Sequence, residues 1–158
     1  MDKNQHTQGG ALMEQEREQI RVVAAELERD GLFLITQRRA GAIFPNLWEF
    51  PSGRVEEGES DQEALRRELI ERLDAEIEVG EVSLFLHHDY ERYSIDFYVY
   101  RCRLLSPEDA LCSRRVQQWR WVPVQEMGNY DFPPADAESI RLLLERSEER
   151  PEGGGGAP

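Results

Sequence analysis

One segment of this chain, residues 53–75, sets strict conditions on the fold. It reads GRVEEGESDQEALRRELIERLDA, a glycine-rich acidic loop that passes directly into a helix. Ser60 and Glu63 have the spacing of a capping box, which satisfies free backbone N–H groups where a helix begins. Leucines recur every four residues from Leu65 to Leu73, the spacing of a core-facing stripe. The segment therefore predicts a helix with one buried face, held next to an acidic loop.

A different side of this helix carries two glutamates. Glu68 and Glu71 are three residues apart, so they are neighbours on the helix surface. Glu59 adds a third carboxylate from the loop. Mg²⁺ takes hard oxygen ligands and usually completes its shell with water and substrate phosphates. A single Glu on a helix is usually a solvated charge, but this joint spacing suits a divalent cation.

The same segment resembles the signature of the Nudix hydrolase family, G-x5-E-x7-R-E-U-x-E-E-x-G-U, where U is a bulky aliphatic residue. Six residues match at the required spacing: Gly53, Glu59, Arg67, Glu68, Leu69 and Glu71. Arg72 stands where the family has its last glutamate, and Asp74 stands where it has its second glycine. Residues 47–51 (LWEFP) and 131–136 (DFPPAD) resemble the MutT-like branch of the family.

The resemblance implies a fold, a reaction and a set of functional residues. The fold is of the α/β class, a Nudix-type α/β/α sandwich with a mixed β-sheet. The reaction is divalent-metal-dependent hydrolysis of a nucleoside triphosphate, or of another nucleoside diphosphate derivative, to a nucleoside monophosphate and pyrophosphate. The implied catalytic residues are Glu68, as metal ligand or general base, and Arg67, which orients the carboxylates. The implied ligands of Mg²⁺ or Mn²⁺ are Gly53, Glu59, Glu68 and Glu71. The implied substrate-binding residues are Arg39, Phe50 and Asp136.

Two interpretations of Asp136 stay open, and they are compatible. In the first interpretation Asp136 is the N-cap of the last helix. In the second it contacts the nucleotide base. The MutT-like branch commonly has asparagine at this position, which offers both a donor and an acceptor. An ionised aspartate only accepts. We therefore expect Asp136 to prefer a base edge that presents N–H groups.

Two arginines depart from the family pattern in the metal site. A cation at Arg72 cannot ligate Mg²⁺ and repels it at short range. Arg115 stands where the MutT-like branch supplies another glutamate. Three functions stay open: a hydrolase with altered metal use, a catalytically impaired nucleotide-binding or regulatory module, and a protein-interaction scaffold. In the second, arginine forks bind phosphate in place of a metal ion.

The composition limits which partners we expect and in which cellular compartment we expect the protein. The net charge of −13 disfavours binding to nucleic acid polymers. No apolar run approaches the roughly 20 residues that span a bilayer, so we expect no membrane partner. Cys102 and Cys112 form no metal-ligand pattern, which favours reduced thiols and a cytoplasmic location. The expected partner is a nucleotide substrate, and the sequence leaves open whether the chain forms a homodimer.

The chain divides into one domain with polar ends. Residues 1–17 are predicted to be a mobile tail, residues 18–148 the domain, and residues 149–158 a flexible tail rich in glycine. The predicted strands lie near residues 20–27, 32–36, 82–87, 94–104 and 118–122, with the first two forming a hairpin.

Overall fold

The computed structural model describes residues 17–149. The two predicted tails, residues 1–17 and 149–158, lie outside this range except for Arg17 and Glu149. The seven strands are β1 (Glu18–Arg29), β2 (Leu32–Gln37), β3 (Trp48–Glu49), β4 (Ser52–Arg54), β5 (Ile77–Asp89), β6 (Tyr93–Leu104) and β7 (Trp119–Pro123). The helices are α1 (Asp61–Leu73) and α2 (Pro134–Glu149), with short 3-10 helices at Glu108–Ala110 and Val124–Asn129.

The strands form one mixed sheet in the order β3-β2-β1-β6-β5, with β4 also paired to β1 and β7 to β2. β1 runs parallel to β6, from the Glu18–Tyr93 pair to the Leu27–Cys102 pair. The remaining strand pairs are antiparallel, including the predicted β1–β2 hairpin. Asp30 and Gly31 close that hairpin with positive φ angles, which suits an aspartate followed by a glycine. The mixed sheet confirms the predicted fold class.

Each face of the sheet is covered by a separate hydrophobic core. Successive residues of a strand point to opposite faces, so Val23 lies in the core under α1 while Ala24 lies in the other core. The leucines of α1 are fully buried in the first core, as their spacing predicted. Ile140 of α2 lies in the second core. Within the described residues, no helix is long and apolar enough to cross a membrane.

The ends of α1 follow from their local sequence. The Ser60 hydroxyl accepts a hydrogen bond from the backbone N–H of Glu63 at 3.1 Å, which confirms the predicted start. The helix ends at Asp74, which adopts a left-handed conformation with φ 56°. Its backbone N–H donates to the carbonyl of Ile70 at 2.9 Å. Aspartate tolerates this conformation better than most residues, so Asp74 closes the helix where the family has glycine.

Candidate active site

Arg67 links the acidic loop to α1. Its Nε donates to Glu59 Oε2 at 2.7 Å and its Nη2 to Glu59 Oε1 at 2.9 Å, a bidentate pair. Its Nη2 also donates to the carbonyl of Arg54 at 3.0 Å, and its Nη1 donates to Glu68 Oε1 at 2.9 Å. Glu71 Oε2 lies 3.4 Å from the same Nη1. Arg67 therefore gathers the three predicted carboxylates, and its hydrogen bonds lower the pKa of Glu59 to about 2.

Glu68 lies directly against Gly53 of β4. A Cβ atom at Gly53 would stand 2.0 Å from Glu68 Cδ, far inside contact distance. Only glycine leaves room for the Glu68 side chain here. Gly53 and Glu68, which both belong to the family signature, are therefore in direct contact in the fold. The Glu68 residue is 9% exposed, so its carboxylate sits at the base of the site.

The two arginines that break the family pattern both contact the carboxylates. Arg72 Nε donates to Glu68 Oε2 at 2.7 Å, so both oxygens of Glu68 are held by guanidinium groups. Arg72 Nη1 also lies 3.6 Å from Glu49 Oε1. Arg115 Nη1 reaches Glu71 Oε2 at 3.4 Å. As the sequence suggested, these two substitutions place positively charged groups next to the predicted metal ligands Glu68 and Glu71.

The donor chemistry at this site fits a hard divalent cation, but the conformation holds the carboxylates on arginines. Glu68 and Glu71 offer carboxylate oxygens one helical turn apart, and Gly53 provides room for Glu68. As the side chains stand, no group of three His, Cys, Asp or Glu residues within 17–149 could hold a metal ion. A cation that used both oxygens of Glu68 would compete with Arg72 at Oε2 and with Arg67 at Oε1. The predicted metal-binding carboxylates therefore lie close together, and Arg72 competes with a metal ion for Glu68.

A cavity of about 430 Å³ extends from Glu68 towards an aromatic wall. Glu56, Gly53 and Glu68 line one part of it. Other lining residues are aromatic: Phe44, Tyr90 and Tyr93. The rings of Tyr90 and Tyr93 are stacked with centroids 4.9 Å apart, and Phe44 lies 5.5 Å from Tyr90. One cavity thus joins a charged region to flat apolar surfaces.

Asp136 lines the same cavity, and its position corrects one expectation. It lies in the first turn of α2, two residues after Pro134, so it is not the N-cap. Proline is favoured at the first helical position because its missing N–H needs no partner there. Asp136 is 5% exposed, and its Oδ1 accepts no hydrogen bond from the described residues. Burial and then the charge of Glu49 raise its pKa well above the usual range, which favours the neutral acid over the ionised acceptor expected from sequence.

The other two predicted substrate residues differ in their placement. Phe50 is 0% exposed and packs in the second core, so its side chain does not reach a cavity wall. The substrate contact that the resemblance implied for Phe50 is therefore not available in this conformation. Arg39 does face a cavity, which it shares with Arg72 and Arg115.

Sequence reasoning missed Glu49, which is 3% exposed. Arg38 Nη1 donates to Glu49 Oε2 at 2.8 Å, so Glu49 connects Arg38 to Arg72. Glutamates are rarely buried unless they are paired. The sequence signal that could have indicated the burial of Glu49 was its position between two large apolar residues, Trp48 and Phe50. Both of these lie in the second core.

Comparisons with known proteins relate this chain to one family. A model of the NUDIX domain matches residues 22–142. The chain is 34% identical over 132 residues to a CTP pyrophosphohydrolase of Escherichia coli K12, covering 84% of this chain and 96% of that protein. It is 33% identical over 124 residues to an 8-oxo-dGTP diphosphatase of Haemophilus influenzae, covering 77% and 90%. The solution structure of the E. coli ORF135 protein superposes with a TM-score of 0.71 at 32% identity, covering 86% of this chain and 96% of that one. The names of these relatives support the predicted enzyme class, a pyrophosphohydrolase.

Proposed function

This chain belongs to the Nudix family, and from that premise we propose that it hydrolyses a nucleoside triphosphate to a nucleoside monophosphate and pyrophosphate. The reaction uses a divalent metal ion. Relatives at similar identity are named for CTP and for 8-oxo-dGTP, so the substrate class is the nucleoside triphosphate and the base is decided by this chain's own cavity.

One observation carries the proposal. The cavity of about 430 Å³ is lined by Glu68 and Glu56 in one part and by Tyr90, Tyr93 and Asp136 in another. A nucleotide has the same division, with a charged phosphate chain joined to a flat apolar base that has hydrogen-bonding edges. Small-molecule sites typically combine apolar walls with a few polar groups that fix orientation. The cavity therefore suits a nucleotide laid along it, with phosphates at the carboxylates.

Glu68 and Glu71 are the residues that would hold the metal ion, with Gly53 giving Glu68 its space. When bound, a divalent ion neutralises phosphate charge and acidifies a coordinated water. Arg67 positions Glu68 and Glu71 through the contacts described above. The carboxylate of Glu68 would orient a water or accept its proton once Arg72 is released from its Oε2. Asp136 and the aromatic wall hold the base, so that the reacting phosphate is fixed next to Glu68.

The test is pyrophosphate release from a panel of nucleoside triphosphates that includes CTP, dGTP and 8-oxo-dGTP, with Mg²⁺ or Mn²⁺. Glu68→Gln keeps the size of the side chain but removes its charge and basicity, and we expect a loss of roughly 100-fold or more in kcat, the usual contribution of a general base. Glu63→Gln is the matched control, because Glu63 lies on the exposed first turn of the same helix. Failure to turn over any nucleotide with any metal would refute the proposal.

A second candidate function is supported by the arginines around Glu68. Both Glu68 oxygens accept hydrogen bonds from guanidinium groups, which is the arrangement expected of a nucleotide-binding module with little turnover. Arg72→Glu separates the two candidates. If the wild type binds nucleotides without hydrolysis and Arg72→Glu hydrolyses them with metal, the protein is a binding module built on an impaired site. If the wild type already hydrolyses them, the first proposal stands.

A further inference from the structure

Four arginines line a second cavity of about 380 Å³, which shares Arg38, Glu68 and Arg72 with the first. Its wall contains four arginines and a single acid, Glu68, together with Gly41 and Ala42. The arginines are Arg38, Arg39, Arg72 and Arg115. This concentration of positive charge contrasts with the net charge of −13 for the whole chain. The single acid is already bound on both oxygens by Arg67 and Arg72. The cavity wall is therefore rich in arginine, although Glu49 and Glu71, which contact Arg38, Arg72 and Arg115 from outside the wall, offset part of this positive charge.

Two of these guanidinium groups are free to take a ligand. The side chain of Arg39 makes no hydrogen bond or ion pair within residues 17–149. The side chain of Arg115 is 61% exposed, and its contact with Glu71 is 3.4 Å long. Exposed pairs of this kind contribute little to stability, so Arg115 can leave Glu71 at small cost. Arg38 differs, because it is engaged with Glu49 at 2.8 Å and helps to fix the wall.

We propose that Arg39, Arg72 and Arg115 form a metal-independent binding site for a diphosphate group. The ligand is either free pyrophosphate or the two terminal phosphates of a nucleotide, and the second case rests on the proposed function. Arginine forks match phosphate oxygens in pairs and remain charged at all relevant pH values. The two arginines that replace metal-binding glutamates of the family thus neutralise phosphate charge directly, beside the carboxylates that remain.

Arg72 connects this cavity to Glu68, because its Nε donates a hydrogen bond to Glu68 Oε2 at 2.7 Å. A diphosphate in the cavity offers Arg72 a competing anion of higher charge. Binding of the diphosphate therefore draws Arg72 away from Glu68.

The direct test is calorimetric titration with pyrophosphate in the presence of EDTA, which removes divalent ions. We expect binding by the wild type, with affinity reduced at least tenfold in each of Arg39→Gln and Arg115→Gln. The matched control is Arg114→Gln. The Arg114 side chain is 58% exposed and lies 3.5 Å from Asp74, but it does not line the cavity. Affinity in this control should stay within about twofold of the wild type, given the small worth of exposed ion pairs.

Three ligands identify the source of the diphosphate. A non-hydrolysable nucleoside triphosphate analogue, free pyrophosphate and a nucleoside monophosphate are titrated in parallel in EDTA. Binding of the first two with dependence on Arg39 and Arg115 supports the site, as does binding of the analogue alone with the same dependence. Binding of the monophosphate as strongly as the analogue overturns it, and so does equal affinity of all variants or no binding without metal.

The same variants keep this inference distinct from the proposed function. If pyrophosphate binds through the arginines but no nucleotide is hydrolysed, the diphosphate site stands and the hydrolase proposal fails. If nucleotides are hydrolysed, but Arg39→Gln and Arg115→Gln bind pyrophosphate like the wild type, the hydrolase proposal stands and the diphosphate site fails. Retained circular dichroism of each variant establishes that the fold is unchanged.

Discussion

The chemistry that Asp136 can offer a ligand is set by its burial. An ionised aspartate has only acceptor oxygens, whereas a neutral carboxylic acid has one donor and one acceptor, the same pair that asparagine presents. Burial at 5% exposure and the nearby charge of Glu49 both favour the neutral form, and they raise its pKa. Its unpartnered Oδ1 belongs to a side chain that lines the cavity. In the neutral form that burial favours, Asp136 therefore resembles the asparagine that is common in the MutT-like branch.

Substitution of Asp136 tests this interpretation. Asp136→Asn should keep KM for the preferred nucleotide within about threefold, because the amide reproduces the donor and acceptor, and Asp136→Ala should raise KM roughly tenfold through loss of buried hydrogen bonds. A raised pKa means that the acid loses its proton only as the pH rises through that value. KM of the wild type should therefore increase towards alkaline pH, while KM of Asp136→Asn should not. Steady-state kinetics between pH 5.5 and 9 measure both effects, and an Asn variant as impaired as the Ala variant would contradict the idea.

At the scale of elements, the site depends on the close approach of α1 to β4. The contact is between Glu68 and Gly53, where a Cβ would stand 2.0 Å from Glu68 Cδ. Gly53→Ala should move the Glu68 carboxylate off the strand and away from Arg67. Because a flexible side chain can shift without unfolding the core, we expect a small change in melting temperature. We expect a fall of at least about tenfold in kcat/KM, equivalent to roughly 1.4 kcal/mol of transition-state stabilisation.

Gly128→Ala is the matched control for this substitution. A Cβ at Gly128 meets nothing within 4 Å, and its φ is not positive. It should leave both kcat/KM and melting temperature close to those of the wild type. Full activity of Gly53→Ala would show that the position of Glu68 against β4 is not needed for the reaction.

Elements with strong local signals were predictable, and those set by distant contacts were not. The capping pair at Ser60 and the leucine stripe of α1 are local patterns, so its start and its buried face followed from sequence. β3 and β4 have only two and three residues, too few to show a period of two. They lie between the predicted second strand and α1, and they exist because β2 and β1 offer them hydrogen bonds.

The candidate site shows the same limit. The spacing of the signature brought Glu59, Glu68 and Glu71 to one arginine, as the family resemblance implied. The burial of Phe50 and the pairing of Glu49 depend on residues far away in the chain, which no short pattern encodes. Spacing predicts which side chains share a helix face, but not which of them a neighbouring element covers.

At the scale of the whole molecule, the two cores are connected by shared strands. Val23 and Ala24 are adjacent in β1 but belong to different cores, and Leu34 and Ile35 divide in the same way in β2. A disturbance that unfolds β1 or β2 therefore exposes both faces of the sheet together. From this connection we propose that residues 18–148 unfold as a single cooperative domain.

A pair of core substitutions on opposite faces tests that cooperativity. Leu69→Ala in the first core should cost about 3 kcal/mol of the free energy of unfolding, and Ile140→Val in the second about 1 kcal/mol. Because the two side chains lie in separate cores across the sheet, their effects should add to within about 0.5 kcal/mol in the double variant. Urea unfolding followed by far-UV circular dichroism and by tryptophan fluorescence should show one coincident transition in all four proteins. Two separated transitions, with Ile140→Val moving only one of them, would mean that the helices on the two faces of the sheet unfold independently.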